Sequence, residues 1–250
     1  MVRGAGTALN VATVLVGSGL GIALRGRLPE RTRTTVTDAL GLVTLVIGGL
    51  NVAAGLGDLD YRRAVSSGGT LLVVLGALVV GGIVGSLLRV EDRLEQVGGA
   101  LQRRLGRGAG DGRARFIEGF VSASLLFCIG PLAILGSLSD GLGRGIDQLA
   151  LKSTLDGFAA VAFAASLGWG VAASALSVFV VQGSLTLLGV LLGSVLPAAL
   201  VAAVTATGGV LLLGVGFRLL AIKPVPVGDL LPALLAAPLL TALVDLFRAG

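Results

Sequence analysis

Eight apolar stretches, each about twenty residues long, dominate this chain of 250 residues. A helix needs about 20 apolar residues to cross a hydrocarbon core of roughly 30 Å, so each stretch is long enough to span a membrane. The stretches begin near Ala8, Val36, Gly69, Phe116, Leu149, Ala175, Ala199 and Asp229. Charged residues make up only 13% of the chain, roughly half their share in soluble domains. The sequence therefore predicts an all-α, polytopic transmembrane helix bundle of about eight spans, organised as a single membrane domain over residues 1–250.

The residue types present exclude several classes of chemistry. There is no histidine, and Cys128 is the single cysteine. The sequence therefore excludes histidine-based triads, zinc and haem sites and disulfide frameworks. Neither a GxSxG motif nor a phosphate-binding P-loop is present. We expect no enzyme activity, no metal and no cofactor. The net charge of +5 comes from arginines in short loops, so it indicates membrane topology and not nucleic-acid binding.

The distribution of basic residues predicts an orientation. Arginine and lysine in short loops stay on the inner side of the membrane. If the N-terminus lies outside, the arginine-rich segments 25–33 and 89–115 both fall inside, and few basic residues fall outside. We therefore expect both termini outside.

The long loop after the third span has its own pattern. Its apolar residues recur at spacings of three and four, which places them on one helical face; they are Val90, Leu94, Val97, Leu101 and Leu105. Residues 90–115 are therefore predicted to form a cytoplasmic amphipathic helix followed by a flexible linker. Two interpretations stay open: the helix lies on the inner membrane surface, or it packs on its own bundle.

An internal repeat relates the beginning of the chain to its end. A shift of 168 residues aligns residues 8–52 with residues 176–220, and nine identical pairs lie within residues 21–48, among them Gly41 with Gly209 and Gly48 with Gly216. Five crossings separate the equivalent spans, so the second copy is inverted. Inverted repeats are typical of secondary transporters. The alternative is convergent glycine and leucine patterning in two unrelated hairpins.

Glycines one turn apart predict close helix packing. The GxxxG pairs are Gly17 with Gly21, Gly81 with Gly85, and Gly189 with Gly193. Small residues at this spacing let helix backbones approach each other in lipid. These faces serve either packing inside the bundle or a homo-oligomer.

A helix break is predicted within the fourth span. Pro131 follows Gly130 there, and proline removes an intrahelical hydrogen bond and clashes with the preceding turn. Backbone groups freed at membrane depth require protein or a water-filled cavity. The break is therefore a candidate binding element, and a proline kink satisfied by neighbouring helices is the alternative.

Two ionisable residues lie inside the fifth span. Lys152 and Asp156 are four residues apart and share one helical face, where they can pair. Ionisable groups inside a span are expensive and are usually functional. Asp156 is then expected to bind a cation or proton, with Lys152 as a tethered counter-charge. The alternative is a salt bridge near the headgroups that only orients the helix.

Further polar residues complete the candidate set for solute or ion binding. They are Asp140, Ser137, Ser153, Asn10 and Gln182. Asp140 is also interpretable as an ordinary residue at a span boundary. Asn10 and Gln182 lie in the two copies of the repeat, where each is either a ligand or an interhelical hydrogen-bonding group.

Several motifs are shared with one known family. They are Asn10, Gly17 with Gly21, Leu28-Pro29-Glu30-Arg31, the run CIGPLAILGS at 128–137, Asp140-Gly141, Lys152-Ser153 and Leu155-Asp156-Gly157. On these residues the chain resembles, over nearly its whole length, the bacterial inner-membrane family catalogued as domain of unknown function 554. The resemblance implies a multi-pass protein of the bacterial cytoplasmic membrane and carries no established activity.

The residues favour a secondary transporter or channel-like carrier of a small polar solute or inorganic ion, coupled to a cation or proton. Its expected partners are the lipid bilayer and that solute. The alternative is a non-transporting membrane scaffold or regulatory protein with a cytoplasmic contact surface at residues 89–115.

Overall fold

The computed structural model of the chain describes residues 2–27, 29–93, 96, 100, 111–128, 131–192 and 197–249. Within these residues the regular elements are helices and no strand occurs, which confirms the all-α prediction. The helices are α1 (Ala5–Arg25), α2 (Glu30–Gly57), α3 (Leu59–Val65), α4 (Gly69–Leu88), α5 (Asp111–Cys128), α6 (Pro131–Gly141), α7 (Asp147–Leu167), α8 (Trp169–Leu192), α9 (Ala198–Leu219), α10 (Val227–Leu230) and α11 (Ala233–Ala249).

In the part of the chain that the structure describes, seven helical segments are long and apolar enough to cross a membrane. They are α1, α2, α4, α7, α8, α9 and Val227–Arg248, which contains α10 and most of α11. An eighth candidate is the pair Ala114–Cys128 and Leu132–Gly141, two helices bent by 63° relative to each other. These segments match the predicted apolar stretches and confirm a polytopic bundle of about eight spans.

The bend between α5 and α6 lies where the sequence predicts a broken helix. Pro131 is the first residue of α6, a position that proline tolerates because its missing N–H would have no helical partner there. Gly130 lies outside the described residues, and so does most of the predicted amphipathic segment 90–115. The break at Gly130 and the amphipathic helix stay predictions.

Two compact units make up the chain. The first unit comprises Met1–Leu40 and Leu94–Val195, and therefore contains α1 and α5 to α8. The second unit comprises Gly41–Arg93 and Leu196–Gly250, and contains most of α2 together with α3, α4 and α9 to α11. The single membrane domain over residues 1–250 stays a prediction.

Close contact between α1 and α7 organises the first unit. Gly17 lies against the backbone of Gly157, and Gly21 lies against that of Val161. A Cβ atom at Gly17 would collide with the carbonyl oxygen of Gly157, so glycine is required for this approach. Because the contacting residue numbers increase together, α1 and α7 run in the same direction.

Helix α8 runs antiparallel to α1 in the same unit. Arg25, at the end of α1, contacts Gly168 just before α8 begins. At the other end, the side chain of Thr7 meets that of Thr186, near the end of α8. Gly168 has a φ of 82°, which glycine adopts without the steric cost of a side chain, and it makes the turn from α7 into α8.

In the second unit, α2 and α9 pack antiparallel through glycines. Gly48 lies against the carbonyl oxygen of Gly209, and Gly209 lies against that of Gly48. About two helical turns away, Gly216 lies against the carbonyl oxygen of Gly41. Because glycine has no side chain, the two helix backbones can touch at these positions.

The rest of the second unit packs around α4. Gly81 lies against Ala233, the first residue of α11, and Gly85 lies against Asp229 in α10. Both this GxxxG pair and the pair in α1 therefore pack within their own unit. Tyr61 is fully buried in the apolar cluster between α3, α4, α9 and α11, and burial raises its pKa to about 12.

The outer faces of the helices carry large exposed apolar side chains. Leu71, Leu72 and Leu75 on α4 and Phe158 on α7 are between 56% and 76% exposed. Apolar surface of this extent on helices of membrane-spanning length contacts lipid. The lipid bilayer is therefore a partner of the protein, as the sequence predicts.

Candidate functional site

A buried ion pair lies inside α7. The Nζ atom of Lys152 is 2.8 Å from Oδ2 of Asp156 and donates to Oδ1 at 2.9 Å. The spacing of four residues brings both side chains to one face of the helix. Each side chain is only 8% exposed. The predicted pair is thus formed, and it lies on the side of α7 that faces other helices of the first unit.

Asn10 joins this pair from a second helix. Its Nδ2 atom donates to Oδ2 of Asp156 at 3.0 Å, across 146 residues of sequence. The contact arises because α1 and α7 run side by side through their glycines. Asp156 therefore accepts hydrogen bonds from an ammonium and an amide, and the fully buried Asn10 is held in one orientation.

Several buried polar side chains have atoms without a partner, among them Asn10, Ser137 and Gln182. Within the described part of the chain, no hydrogen bond reaches Oδ1 of Asn10, Oγ of Ser137, or either polar atom of Gln182. All three residues are completely buried. Buried polar groups are nearly always hydrogen-bonded, and an exception marks strain, a functional role or a bound molecule.

Hydroxyl groups extend this polar region along α1 and α8. Oγ1 of Thr7 and Oγ1 of Thr186 are 3.1 Å apart and share a hydrogen bond. Thr7 precedes Asn10 by three residues and Thr186 follows Gln182 by four, so each lies one turn from an amide on the same helical face. Sequence reasoning missed these two threonines, and their spacing from the amides is the signal that could have found them.

Asp140 and Ser153 have different surroundings from the ion pair. The carboxylate of Asp140 accepts the backbone N–H groups of Gly4 and Gly6, each at 3.0 Å, which places a negative charge at the N-terminus of α1 where the helix dipole favours it. Ser153 donates to the carbonyl oxygen of Leu149 at 2.6 Å, inside its own helix. Asp140 thus anchors α1, and Ser153 is satisfied locally.

The end of α5 lies within electrostatic range of the ion pair, because Cys128, its last residue, experiences the charges of both Lys152 and Asp156. Among the described residues no group of three or more Asp, Glu, Cys or His side chains could hold a metal ion.

A groove runs along the surface beside this cluster. It has a volume of about 400 Å³ and lies between α1 and α7, with Gly17 and Gly157 among its lining residues and Phe158 beside them. Thr13, Ser153 and Thr154 also line it. Its other lining residues are apolar, as expected for a surface that faces lipid acyl chains.

Comparisons with known proteins agree with the membrane architecture. The chain is 27% identical over 242 residues to "Uncharacterized membrane protein YdfK" of Bacillus subtilis, and the match covers 97% of each chain. It is 32% identical over 238 residues to "Uncharacterized protein YqgA" of Escherichia coli, covering 95% of this chain and 96% of the relative. No solved structure matches it. The model of a family described as "Protein of unknown function (DUF554)" matches residues 5–242, and the chain therefore belongs to the DUF554 family of membrane proteins.

Proposed function

We propose that the protein is a secondary transporter or channel-like carrier of a small polar solute or inorganic ion, coupled to a cation or proton. The observation that carries this proposal is the buried cluster of Asn10, Lys152, Asp156 and Gln182 inside helices of membrane-spanning length. Its ion pair is almost completely buried, and its amides retain unpaired atoms that a passing molecule would bind.

The energetic cost of this cluster supports a function. Each ionisable group inside a span costs about 2.5–3.5 kcal/mol on insertion scales, and each unsatisfied buried polar group costs about 1–3 kcal/mol. Replacing a buried ion pair with apolar residues is often neutral or stabilising. A bundle that needed only to pack would therefore be at least as stable with apolar residues in place of Lys152, Asp156, Gln182 and the partner Asn10.

The packing of α2 against α9 supports an inverted repeat. The 168-residue shift makes Gly41 equivalent to Gly209, and Gly48 equivalent to Gly216. The contact of Gly48 with Gly209 is then mirrored by the contact of Gly41 with Gly216. Reciprocal contacts between antiparallel equivalents are what a two-fold axis in the membrane plane produces. Such repeats let a transporter exchange inward-open and outward-open states around one site.

Helix directions support an eight-span topology with both termini on one side. Helices α1 and α7 run in the same direction, and α2 and α4 each cross the membrane between them. The parallel direction then requires that the bent pair α5 and α6 crosses once and does not re-enter on the same side. With the inner side set by the arginine-rich segments, both termini lie outside the bacterial cytoplasmic membrane.

Asp156 is the proposed coupling residue. Its carboxylate is held by Lys152 at 2.8 Å, so an incoming cation or proton must compete with the ammonium for the same oxygens. Lys152 then acts as a tethered counter-charge that closes the site when the coupling ion leaves. No catalytic step is assigned to any of these residues.

The test is Asp156→Asn in proteoliposomes loaded with a sodium- or pH-sensitive dye, alongside a panel of radiolabelled small solutes. The substitution keeps the shape of the side chain and removes the charge, so we expect folded protein without ion-coupled uptake. Asp147→Asn is the matched control, because Asp147 is an exposed aspartate in the first turn of the same helix. Wild-type uptake by Asp156→Asn would remove Asp156 from the mechanism.

One observation favours the second candidate, a membrane scaffold or regulator with a contact surface at residues 89–115. Glu91 is bound by the guanidinium of Arg218 and by the backbone N–H of Gly228, and its own N–H donates to Asp229 at 2.9 Å. The start of the segment is therefore held in a defined place. Deleting residues 94–110 separates the two candidates, because a carrier keeps its uptake and a scaffold loses its cellular phenotype.

A further inference from the structure

The polar residues along the α1–α8 interface are Thr7 and Asn10 on α1 and Gln182 and Thr186 on α8, and the two helices pack in a definite register. Two contacts set it: Arg25 with Gly168, and Thr7 with Thr186. In an antiparallel pair one residue number rises as the other falls, so Asn10 lies opposite Gln182. Both residues are on the faces that their one-turn neighbours Thr7 and Thr186 already bring together. This register places Asn10 and Gln182 on facing sides of the α1–α8 interface.

The unpaired atoms of this pair of amides define what would bind between them. Nδ2 of Asn10 is committed to Asp156, so Oδ1 of Asn10 remains as an acceptor. Gln182 contributes an acceptor at Oε1 and two N–H donors at Nε2, and neither atom has a partner within the described residues. A complementary ligand must donate hydrogen bonds and must also accept them.

Charge argues that this ligand is neutral. Lys152 pairs with Asp156 at 2.8 Å, so the ion pair next to Asn10 has no net charge to offer a cation. A cation bound to the two amide oxygens would also leave the N–H donors of Gln182 unsatisfied and close to a like charge. A neutral molecule with both donors and acceptors satisfies every unpaired atom.

Neighbouring side chains limit the size of the ligand. On one side of the amides, the hydroxyl oxygens of Thr7 and Thr186 are only 3.1 Å apart. On the other side, one turn away on each helix, lie Val14 and Val178, both completely buried. A ligand between these groups is therefore limited to a few heavy atoms, with hydroxyl groups at one end and apolar side chains at the other.

We propose that Asn10 and Gln182 form the binding site for a small neutral solute of the carboxamide or urea class. This inference rests on the proposed carrier function and names its solute class. A carboxamide group presents a carbonyl acceptor to Nε2 of Gln182 and N–H donors to the oxygens of both residues. The Lys152–Asp156 pair lies beside the solute and holds Asn10 in the orientation that binding requires.

The first experiment measures binding without transport. Purified full-length protein in detergent is heated with acetamide or urea at millimolar concentration, with sodium chloride and choline chloride as ionic comparisons. We expect the melting temperature to rise with the concentration of acetamide or urea, whether or not sodium is present. A response to sodium alone would overturn the assignment of a neutral ligand. A lack of response to both amides would also overturn it.

Variants of Gln182 identify the site. Gln182→Met removes the unpaired amide while nearly keeping the side-chain volume, so its melting temperature is expected to equal that of the wild type or exceed it by about 2–4 °C, with no response to acetamide. Gln182→Asn, which displaces the amide by one methylene, replaces Gln182→Met if that variant accumulates poorly. It is expected to weaken the melting-temperature response to acetamide at least tenfold. Thr205→Val is the matched control, since this buried hydroxyl bonds within its own helix in the second unit, and the variant keeps the response.

A vesicle assay separates this inference from the proposed function. Urea entry into proteoliposomes is followed by stopped-flow light scattering for wild type and Gln182→Met. Uptake of urea that Gln182→Met does not alter would overturn the site and leave the carrier proposal standing. A melting-temperature response that needs Gln182, without any entry into vesicles, would support the site and contradict the carrier proposal.

Discussion

The pairing of Lys152 with Asp156 gives a quantitative prediction about stability. Lys152→Met removes both contacts from the ammonium, at 2.8 and 2.9 Å, and leaves a buried carboxylate with Asn10 as its one remaining donor among the described residues. Breaking a buried ion pair from one side costs about 3–5 kcal/mol. Asp156→Leu costs a similar amount for the stranded ammonium, and a further loss of about 1–3 kcal/mol because Nδ2 of Asn10 loses its acceptor.

The double variant Lys152→Met with Asp156→Leu is expected to recover most of that loss. Neither charge remains, and apolar residues of similar volume fill the space, so the ion pair itself costs little to remove. The unsatisfied amide of Asn10 is what remains, at about 1–3 kcal/mol. The double variant should therefore be more stable than either single variant.

The free energies of unfolding of the wild type, the two single variants and the double variant are compared in mixed micelles. Unfolding is followed by circular dichroism as the concentration of the denaturing detergent is increased. A double variant that loses the sum of the two single losses would refute the reasoning, because independent effects mean that the two charges do not stabilise each other. Uptake measured on the same samples adds a functional outcome. A folded double variant that transports normally would show that the pair has no role in transport.

Two further predictions concern packing and topology. Gly17→Ala should lower the free energy of unfolding by about 1–3 kcal/mol, because its methyl group meets the α7 backbone. Gly19→Ala is the control and should be neutral or stabilising, because open space surrounds Gly19. Equal losses of stability in the two variants would contradict the close contact at Gly17. In a Cys128→Ser background, Arg144→Cys should react with a membrane-impermeant thiol reagent in intact cells, whereas Gly112→Cys should react only after permeabilisation. Equal reactivity of the two positions would mean that the bent pair re-enters on one side and does not cross.

Local features of the molecule were predictable because they depend on neighbouring residues. Hydropathy over about twenty residues is enough to place the spans, since the thickness of the hydrocarbon core sets their length. The contact between Lys152 and Asp156 follows from a spacing of four within one helix. The approach of Gly17 and Gly21 to another helix follows from small residues one turn apart, although the identity of that helix does not.

The partners across the first unit depended on the tertiary structure. Asn10 reaches Asp156 over 146 residues of sequence, and Asp140 receives the N–H groups of Gly4 and Gly6. These contacts depend on which helices are neighbours and on their relative register. The sequence does not reveal these neighbours, so Asp140 is predicted from it as a ligand. The structure shows instead that its carboxylate anchors the start of α1.

The residues alone are enough to predict a polytopic helical membrane protein with polar groups inside its spans. The folded structure is needed to know that Gln182 has no partner among the described residues while Asp156 has two. Hydropathy is a property of a segment alone, whereas the satisfaction of a buried hydrogen bond depends on atoms brought together from distant segments.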